Sequence, residues 1–210
     1  MVDLLKAEHN VDVEWRPYYL RPDTPPEGMD LPDYILRARA SGADERLQGM
    51  AKMHGMQFKS PDRIYNTRIA HEATEYAREH GKVNEFHKVV FRKVYSDGYD
   101  ISQWDVLRSA AEEVGLDADD MQSVVDGGKY TVEVAEQVRH AQQIGVTGVP
   151  TYVINDRYAI VGAQPYEAFK NALAQIANLK GGQQKTFVRY DYKLGRRIHA
   201  DKCRIFFFSA

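Results

Sequence analysis

The stretch Gly145–Asp156, GVTGVPTYVIND, decides how this chain is read. Its second half, Thr151–Ile154, is apolar and rich in β-formers, as a buried strand requires. In front of it stands Pro150, which has no N–H and so opens a gap at the strand's first ladder position. A second short strand, YAIVGA, follows Asp156 and Arg157. A connection of two residues demands an antiparallel hairpin. The helix PYEAFKNALAQIANL comes next, with Pro165 in its first turn and Phe169, Leu173 and Ile176 on one face.

Towards the N-terminus, Asn10–Trp15 alternates Val11, Val13 and Trp15 with Asp12 and Glu14, the period of a strand with one buried face. VDLLKAEH ahead of it reads as the last turns of a helix. Four of the eight prolines lie in Pro17–Pro26, which marks an ordered loop. From Leu31 to about Gly145 the pattern is helical. The clearest helix is expected across SPDRIYNTRIAHEATEYAREHGK, stopped by Gly81. Ser102 is the expected N-cap of a later one. The fold class is therefore α/β, a sheet with a large helical insertion. Residues 1–30 and 146–180 form the sheet domain, 31–145 the insertion, and the tail 181–210 fits neither pattern. A β-β-α end preceded by Val-Pro resembles the C-terminal half of a thioredoxin-like domain.

Composition narrows the function. The 210 residues carry a net charge of -2 and are 43% hydrophobic, enough to bury a real core. A nucleic-acid binder would show a basic excess, so no such partner is expected. No apolar run approaches the ~20 residues of a membrane span. The start, MVDLLKAEHN, lacks a signal layout, so a cytoplasmic protein is expected. Cys203 is the single cysteine, and no Cys-x-x-Cys occurs.

Three segments, VEWRPYYLRPDTPPEG, NTRIAHEATEYAREHG and GVTGVPTYVINDRYAIVGAQPYEAF, resemble the FrnE-like branch of the DsbA family of thioredoxin-fold oxidoreductases. The resemblance covers roughly Met1 to Leu179. It implies a cis Val149–Pro150 bond and a turn that leaves the N–H and C=O of Val149 open to a guest. An extended peptide would pair with them as an added strand. Thr147, Gly148, Val149 and Pro150 are therefore the expected substrate-binding residues, with a peptide or a small thiol such as glutathione as ligand. No other cofactor is implied.

Family members open with a strand that ends in Cys-x-x-Cys at a helix N-terminus, where the helix dipole favours the attacking thiolate. By the resemblance, this chain starts near the far end of that helix, so it is expected to be truncated and to have no catalytic residue. In the related chromene-carboxylate isomerases a serine takes the first cysteine's place, and that position is missing too. Three functional readings stand: an oxidoreductase-family domain that is redox-inactive or impaired, a non-catalytic peptide- or glutathione-binding module, and a non-functional gene fragment.

The missing strand is central, so its loss would expose two sheet edges to aggregation or oligomerisation. The tail offers KTFVRYDY and CRIFFFSA as replacements. The second is a continuous apolar run, as a strand buried on both faces requires, so two readings stand: Arg204–Phe208 fills the slot in a circularly permuted arrangement, or the tail is a disordered or wrongly translated extension. Other residues attract sharper readings. Cys203, between Lys202 and Arg204, could be a reactive thiol or a small tail hydrophobe. His71-Glu72 lacks the second histidine of a zinc protease, because Glu75 stands there. His80 and His87 read as surface residues without a third ligand. Asp117, Asp119 and Asp120 lack the glycine and glutamate of a calcium loop and read as an acidic helix start. GRRIHADKCR reads as a solvated basic tail. No metal site is expected.

Overall fold

The structure, a computed structural model, describes residues 2–53, 55–179, 187–191, 196–200 and 203–209. The chain divides into two compact units, residues 1–20 with 137–210 and residues 21–136.

The first unit is a four-stranded mixed sheet between two helical layers. It is built from α1 (Val2–Glu8), β1 (Val11–Pro17), β4 (Thr151–Ile154), β5 (Tyr158–Val161), α9 (Tyr166–Leu179) and β8 (Cys203–Ser209). The strand order is β1-β8-β4-β5. The tail strand β8 thus holds the central slot, parallel to β1 with Val13 opposite Ile205 and antiparallel to β4 with Val153 opposite Phe206. Its apolar run explains the choice. Ile205 and Phe206 point to opposite faces and both are buried, so neither face would tolerate a polar strand. On one face Leu5, Val11, Val13, Tyr152, Ile154, Phe169, Ile176 and Ile205 form a core beneath α1 and α9. On the other, Tyr18, Ala141, Val146, Val153 and Phe206 pack together. β1 and β4 each find their inner neighbour in β8, so neither leaves an unpaired edge in the middle of the sheet.

The other tail segment pairs with its own neighbour: β6 (Phe187–Asp191) and β7 (Arg196–Ala200) make a separate antiparallel hairpin. Lys202 and part of the basic run 195–204 lie outside the described residues. The β4–β5 turn has three residues rather than two, with Asn155 and Asp156 both at positive φ.

The second unit packs α4 (Arg68–Glu79), α5 (Val83–Arg92), α6 (Trp104–Glu113) and α7 (Ala118–Asp126) around Tyr76, Phe86, Leu107, Met121 and Tyr130. It also holds α2 (Asp33–Ala40) and α3 (Ala43–Met53). The unit starts at residue 21 rather than 31 because the proline-rich loop is tied into it. The Asn66 side chain donates to Thr24 O at 2.7 Å, and β2 (Met29–Asp30) pairs with β3 (Arg63–Ile64). That pairing also shortens α4, which begins at Arg68 after Asn66 Oδ1 accepts the Arg68 N–H. At the far end, α8 (Thr131–Gln143) buries Ala141 against the sheet, so the boundary falls at 136 rather than 145. Ser102 is not a cap: its N–H and hydroxyl both donate to Asp100, and α6 starts at Trp104.

Candidate functional site

The carboxyl ends of β1 and β8 and the start of β4 meet at one edge of the first unit. There Pro17 lies opposite Ser209, and Phe208 lies opposite Thr151. The approach segment Val146–Pro150 comes in over this edge. Two side chains of the same unit pin it. Tyr18 donates its hydroxyl to Val146 O at 3.3 Å, and Thr151 donates to Gly148 O at 2.7 Å. Val146 and Thr151 are buried, while Val149 rests half-buried on Phe206 and its neighbours.

The sequence-chosen residues are contiguous here. Thr147 is exposed, and Gly148, Val149 and Pro150 are half-buried. The Val149–Pro150 peptide is cis. Pro150 O accepts the Gly162 N–H at 2.8 Å, closing the β5 side of the gap. Among the described residues, neither the N–H nor the C=O of Val149 has a hydrogen-bond partner. A Cβ placed on Gly148 would meet nothing within 4 Å, so the space beside that unpaired backbone is open. A half-buried backbone pair without partners costs free energy until something binds it. The arrangement offers one donor and one acceptor to an extended backbone.

The electrostatics beneath are quiet. Arg16 pairs with Glu14 and lies over the Phe206 ring at 4.8 Å. Burial pushes the Tyr152 phenol up to about 12, so it stays neutral at ordinary pH. Sequence reasoning missed Tyr18, Thr151 and Phe206 as supports of this edge. Tyr18, placed directly after a strand's carboxyl end, was the signal available.

The remaining sequence candidates lie elsewhere. Cys203 is 4% exposed at the opposite end of β8, its N–H bonded to Asn10 O. Phe208 lies five residue steps along the strand from it, roughly 17 Å. It is a core side chain of the first unit. In the second unit His71 Nε2 is sealed from solvent, and burial lowers the imidazole to about 4. His87 is buried, not on the surface. Burial first, then the charges of His71 and Arg78, lowers it to about 3. It packs on Phe91, which a seven-residue spacing from His80 could not show. His80 is exposed and bonds Tyr76 O at 2.9 Å. Asp117 caps α7 by accepting the N–H groups of Asp119 and Asp120.

A sheet with this order, a cis-proline approach to its third strand and an inserted helical unit define a thioredoxin-like domain. The family model for the DSBA-like thioredoxin domain matches residues 1–174, and the chain belongs to that family. The uncharacterized protein YwbO of Bacillus subtilis (strain 168) is 29% identical over 168 residues, 79% of this chain and 82% of its own length. The probable DsbA oxidoreductase SCO1869 from Streptomyces coelicolor shares the fold at a TM-score of 0.71 and 24% identity, over 90% of this chain and 82% of its own. The 2-hydroxychromene-2-carboxylate isomerase shares it at 0.68 and 18% identity, over 85% and 88%.

Proposed function

We propose that this chain is a ligand-holding member of the DSBA-like family. It takes an extended peptide, or a small thiol compound such as glutathione, along Thr147–Pro150, and these 210 residues exchange no disulfides. One observation carries the reading: the unpaired backbone of Val149 beside open space, with the single thiol buried at the far end of the central strand. Disulfide exchange needs an accessible thiolate to attack sulfur, and a buried Cys203 supplies none. Binding needs only the backbone pair. A guest strand satisfies both Val149 groups, while Gly148 leaves room for its side chains.

The test has two arms. With dithiothreitol and insulin, the chain leaves the precipitation rate at that of buffer; robust turnover refutes the non-catalytic part. Calorimetry with glutathione and with carboxymethylated insulin B chain gives one-to-one binding to at least one of them. A peptide N-methylated at the residue facing Val149 loses most of that affinity. No heat with either ligand, or unchanged affinity after N-methylation, refutes the binding part.

A further inference from the structure

We propose that the outer face of α3 is a self-association surface on which a second copy of this chain docks through a two-fold, antiparallel helix pair. Within the second unit, α2 buries no residue and α3 buries only Ala51. Helices of 8 and 11 residues are too short to be stable without a packed face. Yet α3 turns its apolar side chains outward. Met53 is 81% exposed, Met50 57% and Leu47 44%, and Met56, beyond the helix end, is 59% exposed. Leu36 of α2 is 48% exposed as well.

The pattern along the helix selects the partner. Arg46, Gly49, Met50 and Met53 fall at i, i+3, i+4 and i+7, one stripe away from Ala51. Gly49 sits at its middle. A helix-interior glycine costs about 1 kcal/mol against alanine. Among the described residues nothing requires it, since a Cβ there would meet no atom within 4 Å. At a helix crossing the missing Cβ lets two backbones approach closely.

Charge is arranged the same way. Glu45 stands four residues before Gly49 and Lys52 three residues after it, both exposed. A two-fold axis through the glycine turn lays each Glu45 near the other copy's Lys52 and opposes the helix dipoles. It also sets Met50 against the opposite Gly49 and lays Met53 along the stem of the opposite Arg46. An isologous contact requires this self-complementarity, whereas a foreign partner does not.

Sedimentation velocity on the full chain, from about 1 to 200 µM, gives a reversible monomer–dimer equilibrium in the micromolar range. Met50→Glu with Met53→Glu weakens it at least about tenfold while the circular-dichroism melt is unchanged. Gly49→Ala raises helix propensity and yet weakens the dimer. Glu45→Lys and Lys52→Glu each weaken it alone, and an equimolar mixture of the two variants restores it, which only the two-fold pairing allows. Wild type that stays monomeric throughout overturns the proposal. So does a dimer indifferent to the methionine changes, or a mixture that fails to recover, both of which point to another occupant of this face.

Discussion

Phe206→Ala is the sharpest perturbation of the completed sheet. Phe206 is 1% exposed and packs with Tyr18, Ala141, Val146 and Val153 beneath Val149. Deleting a fully buried phenylalanine ring costs about 3–5 kcal/mol, transfer and cavity terms together. Urea unfolding of the first unit can be followed through Trp15, which stands edge-on to Phe207 at 4.4 Å, once Trp104 is replaced by phenylalanine. With a slope of about 2 kcal/mol per molar, the midpoint falls by roughly 1.5–2.5 M. The edge under Val149 loses its support in the same variant, so ligand affinity drops with stability. A midpoint shift below about 0.5 M would mean that β8 is not the central strand and that the sheet closes some other way.

Three further outcomes follow from the same geometry. His71 and His87 are held below their unfolded value of 6.5, so the unfolded chain takes up protons first. Stability of the second unit is therefore full above pH 6.5 and lost as the pH falls towards 3–4. By pH 5 the loss is about 2 kcal/mol per histidine. Urea midpoints read through Trp104 at pH 7 and pH 5 check this, and equal midpoints contradict it. Arg78→Ala leaves the buried Glu75 carboxylate without its 2.8 Å partner and costs about 3 kcal/mol in a thermal or urea melt. Thr151→Val removes the 2.7 Å bond that pins Gly148 O. It costs about 1 kcal/mol of stability and weakens ligand binding by calorimetry, with the thiol chemistry of Cys203 unchanged.

Several features were legible before any coordinates. Alternation in Val11–Trp15 gave β1, and Val149-Pro150 ahead of Thr151 located the edge that now carries the unpaired backbone. The run at Arg204–Phe208 was readable as a central strand because burial on both faces leaves no polar position to alternate. What failed depended on long-range pairing. The two-residue strands β2 and β3 exist only because each has the other, and no local period encodes them. Lys93 begins a π-helical turn and is buried, its ammonium bonded to Ser109 Oγ at 3.0 Å. A periodicity reading counts that lysine as solvent-facing. The unit boundary moved because Thr24 and Ala141 take partners that lie far away in sequence. His87 looked like a surface residue because spacing says nothing about which turn of α5 meets the core.

The proton–nitrogen correlation spectrum of the full chain, titrated with glutathione and with carboxymethylated insulin B chain, tests the binding edge most directly. At saturation the Val149 amide moves downfield and its exchange with water slows, with smaller shifts at Thr147, Gly148 and Thr151. An unmoved Val149 amide under a ligand that demonstrably binds would place the guest elsewhere and contradict the account.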